Sequence, residues 1–153
     1  MRAKEIADKL GRTPNKLIGA LLEYQKDSPN NYLTEQDIKD IAKEMNAPES
    51  RIYSLATFYS LLSIAPRGKH IVQLCNDVPC YLNESVNIKE ELEKKLNIRM
   101  GETTEDGLFT LEFTSCLGYC EQAPAIRIDD KMYGNLTSDK LTDILSLYGG
   151  EIK

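Results

Sequence analysis

Four cysteines are the side chains of this sequence best suited to chemistry. With spacings of C-x4-C and C-x3-C, and 35 residues between, they form two pairs: Cys75 with Cys80, and Cys116 with Cys120. Clustered thiols in a reducing compartment more often bind metal or do redox chemistry than form structural disulfides. Each pair follows a segment with a strand pattern, and loops at strand ends commonly carry functional residues. The pattern predicts one site with four sulfur ligands.

The spacing leaves three kinds of site open. A [2Fe–2S] cluster takes four thiolates, two on each iron, so two separated pairs suit it. A structural zinc ion usually takes pairs spaced as C-x2-C, although C-x4-C lies within its range. The third possibility is that the thiols are unrelated. The wide gaps favour the cluster, and a structural zinc-binding adaptor remains an alternative function.

The composition indicates a globular, acidic protein. The 153 residues are 41% apolar, enough for one domain with a core and a small appendage. No apolar run approaches the roughly 20 residues that span a bilayer, and the mixed charges at the start do not resemble a secretory signal. The net charge of −5 lies entirely in residues 67–153, and an acidic surface repels phosphate backbones. We therefore expect a cytoplasmic protein with no nucleic-acid partner and no direct membrane insertion.

Residues 1–66 predict a helical region. Thr13 is placed to cap one helix, with Pro14 in its first turn. Thr34 is placed to cap the next, with Asp37 in the capping-box position. Pro48 opens a third helix, after which apolar residues recur at helical spacing.

Residues 67–153 alternate between strand and helix patterns. The predicted elements are a strand over residues 70–74 that runs into Cys75, a helix over residues 84–96 with Val86 in its apolar set, and a strand over residues 108–113. They are followed by a hairpin with Asp129 and Asp130 at its turn and by a last helix that Ser138 caps and that Gly149 and Gly150 end. We find no Asp–Ser–His set, phosphate loop or dinucleotide fingerprint in the sequence. The chain alone therefore predicts no substrate or nucleotide site.

Several residues near the cysteines fit a tight metal-binding loop. Gly118 can adopt positive φ and lets the backbone pass close to sulfur. Pro79 and Pro124 stiffen the approach to each cysteine pair, although all three are also ordinary turn residues. His70, the sole histidine, could tune a nearby metal, but a lone histidine before a strand is more often a surface or packing residue.

The segments around the cysteines form a specific pattern. They read Pro-Arg-Gly-Lys-His-Ile-Val-Gln-Leu-Cys over residues 66–75, then Cys80, then Ser-Cys-Leu-Gly-Tyr-Cys-Glu-Gln-Ala-Pro over residues 115–124. Residues 52–60 and 132–141 extend the pattern on either side. Together these segments closely resemble the 24 kDa subunit family of NADH dehydrogenase (complex I), which also supplies subunits of NAD(P)-linked hydrogenases and formate dehydrogenases. The resemblance covers residues 14–150.

This resemblance implies an α+β protein. An N-terminal helical region over residues 1–66 would precede a thioredoxin-like [2Fe–2S] ferredoxin domain over residues 67–153. One [2Fe–2S] cluster would be ligated by Cys75, Cys80, Cys116 and Cys120. The chain would be a non-catalytic electron-transfer subunit of a multisubunit NADH dehydrogenase or NAD(P)-linked hydrogenase. The flavin and the nucleotide would belong to a larger partner subunit, beside further iron–sulfur subunits, in the cytoplasm or at the cytoplasmic face of a membrane.

The surface of the helical region allows two further interpretations. Residues 38–56 have the rhythm of a helix-turn-helix motif, which makes a DNA-binding regulator a second alternative function. That segment has no net charge and so offers no basic footprint. Tyr24, Tyr53 and Phe58 are candidates for an exposed docking surface, although Phe58 is better explained as part of the helical core.

Overall fold

The computed structural model describes residues 2–149, which form two compact units that divide between Arg67 and Gly68. Each unit has its own cluster of buried apolar side chains. None of the helices within residues 2–149 has both the length and the apolar character needed to cross a bilayer. Gly150, which we predict at the end of the last helix, lies outside the described residues.

The first unit is helical. Its elements are α1 (Arg2–Leu10), a 3₁₀ turn (Pro14–Lys16), α2 (Leu17–Lys26), α3 (Glu35–Glu44) and α4 (Glu49–Phe58). Leu21, Ile41 and Ile52, from three different helices, are all 2% or less exposed. Each such burial contributes about 1.5–3 kcal/mol, so this core holds the helices together.

Of the two helix caps predicted at threonines in the first unit, one makes the expected side-chain hydrogen bond and the other does not. Thr34 caps α3 as predicted: its hydroxyl accepts a hydrogen bond from Asp37 N at 3.1 Å, and Thr34 N donates to the Asp37 carboxylate at 2.8 Å. Thr13 is an N-cap residue followed by Pro14, as predicted, but the helical segment that begins there is a 3₁₀ turn and the Thr13 side chain makes no capping bond. The sequence pattern also failed to indicate α1, whose charged residues obscure the buried Ile6 and Ala7.

The second unit contains a mixed four-stranded sheet. Its elements are β1 (His70–Cys75), α5 (Val78–Leu82), α6 (Ser85–Leu96), β2 (Phe109–Thr114), a 3₁₀ turn (Cys120–Gln122), β3 (Ile126–Ile128), β4 (Lys131–Tyr133) and α7 (Ser138–Ser146). The strand order is β2-β1-β3-β4, with β1 parallel to β2 and antiparallel to β3. Cys75 pairs with Thr114, so β1 and β2 end at the same edge of the sheet. Both cysteine loops leave from that edge.

One face of this sheet forms the core of the second unit. Val72 and Leu74 of β1, with Phe109 and Leu111 of β2, are buried in a cluster with side chains of α6 and α7. The fully buried side chains of those two helices in the cluster are Leu92 of α6 and Leu141 and Leu145 of α7. This packing gives the strands a rigid base from which the loops project.

The second unit corrects several sequence predictions. Val86 does not belong to the buried face of α6, because it is 44% exposed. Thr137, not Ser138, caps α7, and its hydroxyl accepts a hydrogen bond from Lys140 N at 3.3 Å. The short helix α5 was not predicted at all. The hairpin of β3 and β4 is confirmed, with Asp129 at a φ of 52° in its turn.

The three aromatic candidates for a docking surface differ in solvent exposure. Tyr24 lies in the helical core and is only 6% exposed, so it is not a surface residue. Phe58 is 79% exposed, which makes its assignment to the core wrong. Tyr53 is half-exposed, as a docking residue requires.

Candidate metal centre

The structure brings the four predicted cysteines to one edge of the sheet. Each occupies a different kind of backbone: Cys75 is the last residue of β1, Cys80 lies in α5, Cys116 lies in the turn after β2, and Cys120 begins the second 3₁₀ turn. All four are free thiols. The prediction that each pair lies in a loop is therefore only partly right, because Cys80 and Cys120 are each in a short helical turn.

The thiols meet as two pairs. Cys116 Sγ and Cys120 Sγ are 3.4 Å apart, and the Cys75 and Cys80 thiols share a hydrogen bond. Leu117 and Tyr119, which lie between Cys116 and Cys120 in the chain, pack against the buried Cys75 and Cys80, so the two pairs lie near each other. Two thiols per metal is the arrangement that a two-iron cluster needs, whereas structural zinc takes four ligands on one ion.

The two pairs differ in solvent exposure. Cys75 and Cys80 are each 1% exposed, whereas Cys116 and Cys120 are exposed. Burial, followed by the hydrogen bond with Cys75, raises the pKa of the Cys80 thiol to about 11. The hydrogen bond with Cys116, followed by desolvation, raises the pKa of Cys120. Since thiolates rather than thiols bind metal, a metal that binds here releases protons.

This difference in exposure predicts the order in which the thiols react. In cluster-free protein at pH 8, we expect alkylation of Cys116 and Cys120 to be roughly tenfold faster than that of Cys75 and Cys80, because buried thiols are inert. A time course of peptide mass spectrometry measures the four rates. In urea the four rates should converge. Equal rates for Cys80 and Cys116 in folded protein would contradict the placement of Cys80.

Backbone groups hold the cysteines in place. Cys75 N donates to Ala125 O at 3.2 Å, and a backbone hydrogen bond from Ala125 to the Cys80 sulfur opposes the rise of its pKa. Gly118 N donates to Cys116 Sγ at 3.4 Å, with Gly118 at a φ of 73°. The conformation predicted for Gly118 is thus confirmed. Donors of this kind stabilise negative charge on sulfur.

Sequence reasoning missed two residues beside the cysteines. Asp77 caps α5 and also accepts a hydrogen bond from Cys116 N at 3.1 Å. The sequence could have indicated the cap, because Asp is a common cap residue before a helix with Pro in its first turn. It could not have indicated the bond to Cys116, which lies far along the chain. Gly134 packs so tightly that a Cβ there would lie 2.6 Å from Gln122 O. Nothing in the sequence around Gly134 indicates this contact.

His70 lies at the opposite end of β1 from Cys75. Its Nδ1 is 2.8 Å from an Asp129 carboxylate oxygen, and its ring centroid is 4.9 Å from that of Tyr148. The length of the six-residue strand, about 17 Å from its first Cα to its last, separates this end from the cysteine edge. His70 therefore stabilises the turn between β3 and β4 rather than the cysteine loops.

The sequence pattern of a family described as thioredoxin-like [2Fe–2S] ferredoxin matches residues 3–149. The chain belongs to this family. Among its relatives, an NADH-quinone oxidoreductase subunit from Rickettsia felis is 37% identical over 133 residues, which are 87% of this chain and 80% of the relative. The subunit of the same name from Escherichia coli K12 is 40% identical over 111 residues, covering 72% of this chain and 67% of the relative.

Solved structures agree on the fold of this thioredoxin-like ferredoxin. The air-oxidized form of an NAD+-reducing [NiFe]-hydrogenase superposes with a TM-score of 0.77 at 20% identity. The match covers 92% of this chain and 24% of the hydrogenase chain. The predicted fold class and the predicted family are confirmed. So is the predicted cofactor, one [2Fe–2S] cluster, because the family carries it and the paired thiols suit it.

Proposed function

We propose that this ferredoxin holds its [2Fe–2S] cluster on Cys75, Cys80, Cys116 and Cys120 and passes single electrons within a multisubunit NAD(P)H-linked oxidoreductase. The observation that supports this proposal is that the two thiol pairs lie at the same edge of the sheet. When bound, the cluster supplies one-electron redox chemistry without forming a bond to a substrate. The relatives named as subunits of NADH-quinone oxidoreductase support the same role.

The two cysteine pairs would hold such a cluster between a buried side and an exposed side. Cys75 and Cys80 pack in a small buried cluster with Ala125, which excludes water from the inner side of the site. Leu117 and Tyr119 pack against that cluster and partly cover it. Cys116 and Cys120 are exposed, so the site approaches the surface through them. Electrons would therefore enter or leave on the side of the second pair.

We assign the flavin and the nucleotide to a larger partner subunit. This assignment rests on the sequence, which contains no phosphate loop or dinucleotide fingerprint. The chain itself would bind the cluster, exclude water from it and present it to that partner. It would thus serve the complex without a catalytic site of its own.

Metal analysis after anaerobic purification tests the proposal directly. We expect a red-brown protein with about two irons per chain and equal acid-labile sulfide. The paired thiols are the reason, because each pair suits one iron. A colourless protein with one zinc per chain and no sulfide would refute the proposal and support the zinc-binding adaptor.

An apolar surface beside the cysteines fits the flavin-bearing partner. On α5, Val78 and Leu82 are 65% and 74% exposed, and Tyr81 between them is also exposed. Apolar side chains grouped in this way commonly mark protein interfaces. Because α5 contains Cys80, docking there would bring the partner close to the site.

Charge placed on this surface should weaken the complex. We expect Leu82→Asp to reduce co-purification of the flavin-bearing subunit several-fold while the visible absorption per chain stays unchanged. Leu147→Asp is the matched control, because Leu147 is equally exposed but follows α7, next to the Tyr148 that packs on His70. Pull-down with a tagged chain measures both. Equal recovery of the partner with the two variants would argue against docking through α5.

A further inference from the structure

We propose that Asp77 is a positioning residue that joins the two cysteine loops and lowers the reduction potential of the site. The proposal rests on the proposed function, since it needs the cluster on the four cysteines. The observation behind it is one carboxylate that serves both loops. Asp77 Oδ1 accepts a hydrogen bond from Val78 N at 3.2 Å, and Oδ2 accepts one from Cys116 N at 3.1 Å.

The first bond organises the loop of Cys75 and Cys80. Asp77 is the N-cap of α5, and its own carbonyl accepts a hydrogen bond from Tyr81 N at 2.9 Å. The cap sets where α5 begins, and this places Cys80 one turn further along the helix. A carboxylate at a helix start is also favoured by the free N–H groups there.

The second hydrogen bond, from Cys116 N to Asp77, connects the first loop to the loop of Cys116 and Cys120. The backbone ladder between β1 and β2 continues to Asn76 N, which donates to Thr114 O at 3.3 Å. The Asp77–Cys116 bond lies just beyond it and joins residues 39 positions apart. A hydrogen bond to a charged acceptor is stronger than a neutral one. Asp77 thus extends the alignment of the strands into the loops and sets the separation of the two thiol pairs.

The charge of Asp77 has a second consequence. The side chain is half-buried, so water screens it only in part, and it interacts electrostatically with Cys120. Reduction adds one negative charge to a cluster that already has four thiolate ligands. A nearby carboxylate opposes that added charge, which lowers the reduction potential. The N–H donors at Gly118 and Ala125 act in the opposite direction.

Two substitutions separate the geometric role from the electrostatic one. Asp77→Asn keeps an oxygen acceptor and a good helix cap but removes the charge. Asp77→Ala removes both. Asp106→Asn is the matched control: its carboxylate also accepts a backbone bond, from Leu108 N at 2.9 Å, but it lies before β2, at the end of the sheet away from the cysteines.

The test uses the full chain with its cluster. Redox titration followed by electron paramagnetic resonance should place the midpoint potential of Asp77→Asn above those of the wild type and Asp106→Asn. Release of iron to a chelator should be about tenfold faster in Asp77→Ala than in the wild type, because the hydrogen bond to Cys116 N is lost, whereas Asp77→Asn keeps an acceptor for that bond and should restore slow release. Circular dichroism checks that each variant is folded.

The outcomes are distinguishable. An Asp77→Asn potential equal to that of Asp106→Asn would overturn the electrostatic role, and unchanged iron release in Asp77→Ala would overturn the positioning role. An Asp77→Ala chain that cannot be loaded supports positioning if Asp77→Asn loads normally. A wild-type chain that binds no iron would instead refute the proposed function, which the Asp77 variants do not test.

Discussion

Cys116→Ser is expected to remove most of the visible absorption and leave the chain well below two irons. A hydroxyl is a poor ligand for a soft metal, and Cys116 supplies half of the exposed thiol pair. The side chain is exposed, so the substitution should leave the folded core intact. Iron and sulfide analysis after anaerobic purification, together with the absorption spectrum, measures the effect. Electron transfer through the assembled complex should be lost with the cluster.

Two controls show whether this loss is specific to the thiol. Ser115→Ala changes the exposed neighbour of Cys116 and should leave iron content and spectrum unchanged. Arg51→Ala, in the helical unit, should do the same. Full iron content and full activity in Cys116→Ser would remove Cys116 from the site, and with it the proposed set of four ligands.

Gly134→Ala is expected to have the second largest effect, although the change is a single methyl group. A Cβ at this position would lie 2.5 Å from Gln122 Cβ and 2.6 Å from Gln122 O. Gln122 ends the 3₁₀ turn that begins at Cys120, and Asn135 N donates to its carbonyl. The extra methyl must displace this turn, which should cost about 1–3 kcal/mol of unfolding free energy. Displacement of Cys120 should also lower the iron content.

Denaturant unfolding of the wild-type and variant chains, with iron analysis alongside, measures both effects. Gly19→Ala is the control, because a Cβ there meets only Leu10 Cδ1 at an ordinary 3.8 Å. Alanine is also the better helix former, so Gly19→Ala should be neutral or slightly stabilising. A Gly134→Ala chain with wild-type stability and a full complement of iron would mean that the turn at Cys120 adjusts freely and does not depend on its packing.

The two alternative functions can be considered against these results. The helix-turn-helix rhythm of residues 38–56 corresponds to α3 and α4, which lie inside the region matched by the family. The family therefore explains that rhythm without DNA. The zinc alternative would use the same four thiols around one ion, and the family match favours the [2Fe–2S] cluster over it. Metal analysis of the purified chain separates the two.

Local patterns in the sequence predicted much of the fold correctly. The strand that ends in Cys75, the capping pair of Thr34 and Asp37, and the positive φ of Gly118 each depend on residues close in the chain. Such features arise from side-chain alternation, from bonds between a side chain and its own backbone, and from the steric freedom of glycine. The spacing of the four cysteines belongs with them, because it sets which thiols can pair on one metal.

Failures occurred where local cues were weak or where distant contacts dominate. The missed helices α1 and α5 are short, and α1 has a mean polarity that hides its buried side. Val86 and Phe58 fit helical spacing but face solvent, since spacing identifies a stripe and not its exact edge.

By itself the sequence predicted the family and the cofactor, through the resemblance of the segments around the cysteines to a known family, and the spacing predicted which thiols pair, because each of these features lies in a short stretch of the chain. Only the tertiary structure decided that Asp77 bonds to Cys116, that Gly134 packs on Gln122, and that one thiol pair is buried while the other is exposed. These features join loops that leave from neighbouring strands. The parallel pairing of β1 and β2 brings those loops together, and strand pairing depends on how the whole unit buries its apolar face.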